Sequence, residues 1–156
     1  VDLSAALLQR YHGAAQCYVC DCRDLPFEDA SKDIVIIQGG LHHLPNLTPD
    51  LGRTIDEIHR VLRSSGRLVV VEPWDTPFLR FVHFMCERST ARRMFAKLDA
   101  LATMIEHERR TYTTWLTQPD MVLAELHRRF APERLRFRWG KLTFVGRPLE
   151  TRPPGT

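Results

Sequence analysis

Three stretches decide the fold: Asp33-Ile34-Val35-Ile36-Ile37-Gln38, the helical pattern opened by Thr48-Pro49, and Arg67-Leu68-Val69-Val70-Val71-Glu72. Both apolar runs are continuous rather than alternating, which is how strands covered on both faces read. Between them Leu51, Ile55, Ile58 and Leu62 recur at i, i+4, i+7 and i+11, one face of a helix. Thr48 as N-cap with Pro49 at the first helical position starts that helix, and Gly66 supplies its stop. Strand, helix, strand at this density is a parallel βαβ unit.

Upstream, Ser4 caps a short helix carrying Leu7, Leu8, Tyr11 and Ala15, and Gly13 ends it. Cys17–Cys20 is a β-prone stretch, and Asp24-Leu25-Pro26-Phe27-Glu28-Asp29 is a turn-rich link. Downstream, no strand pattern appears from Thr76 to Phe130. Met94, Phe95, Leu98, Leu101, Ala102 and Ile105 form one helical stripe; Val122, Leu126 and Phe130 form another. Strands return at Leu135, Phe137 and Trp139, alternating with Arg134, Arg136 and Arg138; Gly140-Lys141 turns the chain into a partner strand, Leu142–Val145. The tail Arg152–Thr156 reads as a frayed end. The expected architecture is a single α/β domain over 1–156. It is a doubly wound, mostly parallel sheet closed by a C-terminal antiparallel hairpin, with core segments 1–74 and 131–150 and helical material inserted at 75–130.

Composition sets the outer bounds. The 156 residues are 44% apolar and 26% charged, so the chain can bury a core, and disordered or disulfide-dense classes are excluded. Twenty-two basic against nineteen acidic residues, a net +3, is too mild to imply nucleic acid. No apolar run approaches the ~18 residues of a spanning helix. No basic-then-apolar leader opens the chain, and four cysteines suit a reducing compartment. A cytoplasmic protein with no membrane span follows.

In an open parallel sheet, ligands bind outside the carboxyl ends of the strands. The residues there are Asp21-Cys22, Gln38-Gly39-Gly40-Leu41-His42-His43 and Glu72-Pro73-Trp74-Asp75, joined by Asp2 if Val1 ends a further strand. Carboxylates at strand tips suit a ligand with a diol and an exocyclic amine, and glycines let backbone approach it closely. An aspartate at a strand end is also commonly a turn or cap residue.

In order and spacing, Asp2-Leu3-Ser4, Asp21-Cys22 before Leu25-Pro26-Phe27-Glu28-Asp29-Ala30-Ser31-Lys32-Asp33, and Leu41-His42-His43-Leu44 resemble the class I S-adenosylmethionine-dependent methyltransferases, most closely their small-molecule branch. Glu57-Ile58-His59-Arg60-Val61-Leu62-Arg63, the strand ending Glu72-Pro73 and the hairpin Gly140–Gly146 extend the likeness. The resemblance implies a Rossmann-like methyltransferase fold and S-adenosylmethionine as cofactor. By it, Asp2 would hold the ribose hydroxyls and Asp21 the adenine amino group, with the Cys22 N–H beside the ring. Gln38 and Gly39 would lie along the methionine part and the transferring methyl; Leu41 to His43 would border the acceptor. The family's Gly-rich loop after its first strand has no counterpart here. The chain is therefore expected to be the C-terminal, N-terminally truncated portion of a longer methyltransferase, and to bind cofactor poorly by itself.

Other residues carry alternatives. Cys17, Cys20 and Cys22 invite zinc, but a strand would point 20 and 22 to one face and 17 to the other. No fourth ligand sits at finger spacing, so buried thiols are favoured and no metal is expected. His42 or His43 is either a general base or a hydrogen-bonded structural residue. The aromatic set Trp74, Phe78, Phe81, Phe84, Tyr112 and Trp115 is either core or pocket lining, with Trp74 and Tyr112 the candidates for substrate contact. Arg134, Arg136 and Arg138 read as a charged guard on an edge strand. The functional expectation is methyl transfer from S-adenosylmethionine to a small, apolar acceptor. The alternative is a non-catalytic methyltransferase-like binding module or a truncated, inactive fragment.

Overall fold

A computed structural model describes residues 1–150, which include four strands in one sheet: β1 (Lys32–Gln38), β2 (Leu62–Pro73), β3 (Phe130–Arg138) and β4 (Lys141–Pro148). Their order is β1-β2-β4-β3, with β1 and β2 parallel and the other two pairs antiparallel. The sheet is thus mixed rather than mostly parallel. The expected tail beyond 150 lies outside the described residues. Six helices accompany the strands: α1 (Ala5–Leu8), α2 (Leu47–Val61), α3 (Pro77–Cys86), α4 (Ser89–Met94), α5 (Ala96–Thr117) and α6 (Pro119–Arg129). None of the helices is long and apolar enough to cross a membrane.

The βαβ unit forms as the sequence implies. Leu51, Ile55 and Ile58 of α2 are buried against Leu68 and Val70 of β2 in one core. The helix starts a residue before Thr48, with Asn46 at the N-cap. Asp50, rather than Thr48, secures the start: its Oδ2 accepts the Asn46 N–H at 2.9 Å, satisfying a donor at the helix entry. Gly66 acts one step later than expected. The helix runs straight into β2, and the pairing jumps from Lys32↔Leu62 to Ile34↔Arg67, so Arg63–Gly66 bulge out. A Cβ on Gly66 would meet the carbonyl oxygens of Arg63 at 2.9 Å and Asp33 at 3.0 Å, so the bulge requires glycine. At the hairpin, Trp139 (φ 52°) and Gly140 (φ 73°) both adopt the left-handed region. A two-residue turn that matches strand twist needs positive φ at both positions.

Paired residues share a sheet face. Val35, Ile37, Leu68, Val70, Leu142 and Phe144 point to the face on which α2, α5 and α6 close the core. Ile34, Ile36, Val69, Val71 and Val145 point to the other, and Ile34 and Ile36 are 60% and 66% exposed. The described helices that build the core therefore lie on one face, not both. A β-branched run records what a strand is able to bury, and among the described residues only one face of β1 is covered by core-building helices.

The region 75–130 is largely helical, and part of it packs into the core. Trp115 of α5 and Val122 and Leu126 of α6 belong to the core. The stripe from Met94 to Ile105 is broken at Phe95, which caps α5, and Met94 and Phe95 are exposed. β3 is an edge strand, and the arginines Arg134, Arg136 and Arg138 are exposed along it. The N-terminal segment is slighter than predicted. The helix capped by Ser4 is one turn, and the β-prone cysteines contribute a single parallel bridge, Asp2↔Val19.

Candidate functional site

The carboxyl ends of β1 and β2 open onto a cavity of about 360 Å³ whose walls include Gln38, Gly39, His42, His43 and Tyr112. Gly39 takes φ 64°, and a Cβ there would find only His42 Cε1, at 3.9 Å. The chain then coils into a 3-10 turn, Leu41–His43, that carries both histidines.

Glu72, near the end of β2 and 1% exposed, organises this turn. Its Oε1 accepts the N–H groups of Gly40 at 2.7 Å and Leu41 at 2.9 Å, and its Oε2 lies 2.7 Å from His42 Nδ1. A carboxylate already accepting two N–H groups receives a third from Nδ1, which turns the other ring nitrogen, Nε2, away from Glu72. Sequence reasoning placed Glu72 at a strand tip but gave it no role.

Helix α5 adds Glu108, which the sequence did not single out. Its Oε2 is 3.8 Å from His42 Nε2 and 3.6 Å from His43 Nδ1. That oxygen is buried and has no hydrogen-bond partner. One turn further along α5, Tyr112 sets its ring against His42, centroids 5.8 Å apart, and shares a 3.1 Å hydrogen bond with His83 Nε2. Burial pushes the Tyr112 hydroxyl up to about 12 and lowers His83, so both favour their neutral forms.

Trp74, expected to contact substrate, does not line this cavity. It is buried with its ring against Trp115 and Phe137, while Trp115 Nε1 donates to the Pro73 carbonyl at 2.7 Å. Phe78, Phe81 and Phe84 of α3 are exposed.

The acidic residues of the N-terminal segment are each held by local partners. Asp2 bridges to Val19, and its Oδ1 accepts the Ser4 N–H at 2.7 Å. Asp21 follows two residues after that bridge, and both its oxygens are held by the Arg23 side chain. These bonds hold the Asp21 carboxyl at about 2, below its ordinary 3.8. Arg23 also donates to Asp50 Oδ1 at 2.7 Å, pinning the segment to α2. Cys22 Sγ contacts Thr54 Oγ1 at 3.6 Å, and burial raises its thiol. None of Asp2, Asp21 and Cys22 lines the histidine cavity; Gln38 and Gly39 do.

The sequence profile of a methyltransferase domain matches residues 1–70. That stretch is just under half of the chain, and over it the sequence is similar to a methyltransferase domain. The ubiquinone/menaquinone biosynthesis C-methyltransferase UbiE of Geotalea daltonii is 36% identical over 74 residues, covering 47% of this chain and 28% of that protein. The demethylmenaquinone methyltransferase of Clavibacter sepedonicus is 29% identical over 103 residues, 65% of this chain and 40% of its own length. The match thus spans less than half of either relative. Among solved structures, a Pyrococcus horikoshii protein superposes with a TM-score of 0.57 at 18% identity, covering 92% of this chain and 64% of that one. The 1,6-didemethyltoxoflavin-N1-methyltransferase of Burkholderia thailandensis gives 0.53 at 18% identity, with coverages of 94% and 56%. These likenesses show an α/β fold for the chain.

Proposed function

We propose that the protein transfers the methyl group of S-adenosylmethionine to a small, apolar acceptor held in the cavity at the ends of β1 and β2. The observation that carries this reading is the position of the cavity. It opens at strand carboxyl ends within a methyltransferase domain, between backbone at Gln38-Gly39 and apolar walls from Leu79, Leu101 and Met104.

The residues present suit the cofactor. Gly39 leaves backbone open at the cavity, Gln38 is exposed beside it, and Asp2 Oδ2 has no hydrogen-bond partner among the described residues. Asp2 would take the ribose hydroxyls, Asp21 and the Cys22 N–H the adenine edge, and Gln38 and Gly39 the methionine part. When bound, the cofactor supplies a methyl already activated by a sulfonium. The protein's work is then alignment and exclusion of water. His42 is pre-oriented by Glu72 at the cavity wall; His43 stands next to it, and Tyr112 closes the wall.

A second reading, binding without turnover, draws on one observation: Arg23 occupies both oxygens of Asp21, the proposed adenine contact. The two readings separate in the full-length protein by calorimetry with S-adenosylhomocysteine and a labelled-methyl assay against apolar phenols and quinols. Asp2→Ala and Asp21→Ala should each weaken cofactor binding. Unchanged affinity in both variants would reject the site assignment, and tight binding without label transfer would favour the module.

A further inference from the structure

We propose that His42 Nε2, His43 Nδ1 and Glu108 Oε2 form a site for a divalent transition metal, zinc by ligand type, at the mouth of the cavity. One ligand atom from each of the three residues can be chosen so that all lie within 4.8 Å of one another, and the residues come from two separate elements, the 3-10 turn and α5. Tetrahedral zinc with bonds of about 2.0–2.1 Å brings neighbouring ligand atoms to roughly 3.3 Å. The 3.8 and 3.6 Å from Glu108 Oε2 to His42 Nε2 and His43 Nδ1 are a few tenths wider, within reach of small side-chain rotations.

Three observations favour a cation over a simple contact among side chains. Glu108 Oε2 is buried and unpartnered, although buried polar atoms normally find a partner. His42 is held from behind by Glu72 through Nδ1, the arrangement by which carboxylates fix the tautomer and raise the basicity of a ligating imidazole. Two imidazoles and one carboxylate leave a coordination position free, and His42 and His43 both line the cavity. The free position suits an anionic oxygen, so the acceptor class this site selects is an enolate, phenolate or carboxylate. That last step rests on the methyl-transfer reading; the metal site itself does not.

The test needs no turnover. Chelator-stripped protein is titrated with zinc chloride by calorimetry, and with cobalt(II) for the visible bands of tetrahedral coordination. One zinc per chain at micromolar concentration or tighter is expected. Glu108→Gln and His43→Ala should each weaken it at least tenfold, whereas the pair Cys17→Ser/Cys20→Ser should leave it unchanged. Circular dichroism checks folding, and the partly exposed His43 provides the variant least able to disturb it. No zinc uptake by the wild type, or uptake unaltered in both Glu108→Gln and His43→Ala, overturns the proposal. Loss of zinc in the cysteine variant alone does so too, by assigning the metal to the thiols. An acceptor that still binds once zinc is stripped removes the link to the acceptor while leaving the metal site intact.

Discussion

Replacing Glu72 by glutamine tests how the site is held together. The carboxylate serves three donors: the Gly40 and Leu41 N–H groups and His42 Nδ1. Glutamine keeps one acceptor oxygen for the two backbone groups but turns its amide N–H toward His42. Exchanging charge-assisted for neutral hydrogen bonds costs about 1 kcal/mol per bond, so roughly 1–3 kcal/mol in all. Alanine would instead orphan the Leu41 N–H and His42 Nδ1–H, both on buried residues. At roughly 1–3 kcal/mol per orphaned donor, that is a large part of the ~5–15 kcal/mol that keeps a domain folded. The glutamine variant should therefore fold, with a lower urea midpoint. Its His42 should also change tautomer, with Nδ1 now accepting and the proton moving to Nε2. Long-range nitrogen–proton correlation spectra of chelator-treated protein report that switch. An unchanged urea midpoint together with a proton still on Nδ1 would refute the organising role of Glu72.

Three further outcomes are expected. Asp21 has a folded value of about 2 against an ordinary 3.8, so its contribution to stability is fully present above the ordinary value and is lost as pH falls toward 2. Arg23→Gln should consequently narrow the gap to wild type as urea melts are taken from pH 6 down to pH 2; a constant gap would exclude the Asp21–Arg23 pair as its source. Gly66→Ala forces a Cβ to 2.9 Å from the Arg63 carbonyl oxygen. It should lower stability by about 1–3 kcal/mol, visible as a reduced melting temperature, and an unchanged melt would show that the bulge relaxes freely. Ile36→Lys lies on the open sheet face, so stability should change by no more than about 0.5 kcal/mol, with slower aggregation by light scattering. A loss well beyond that would mean the face is covered.

The βαβ unit was legible because its signals are local: two β-branched runs and a helical repeat need only their own neighbours. The hairpin was equally plain, since Gly140 follows alternating Leu135, Phe137 and Trp139. What failed was whatever depended on where separate elements meet. Helical spacing continues across Phe95 although the helix does not, because α4 and α5 are both helical and apolar spacing cannot register the break between them. Trp74 sits at a strand tip and read as either core or pocket lining; only the approach of Trp115 and Phe137 from later elements shows that its ring is buried. The site shows the same division. His42, His43 and Tyr112 were found from residue type and position, and all three border the cavity. Glu108 sits far along the chain with no motif to mark it, and only the packing of α5 against the 3-10 turn brings it to the histidines. The acidic residues of the N-terminal segment were visible as carboxylates, but their engagement by Arg23 was not, because a cation two residues away gives no sign of which acid it will hold.

The most direct test of the methyl-transfer site is an amide chemical-shift map of the full-length protein titrated with S-adenosylhomocysteine. Saturable shifts should cluster at Asp2, Asp21-Cys22 and Gln38–His42. Saturable shifts confined to other surfaces, or none at millimolar ligand, would contradict a cofactor site at the ends of β1 and β2.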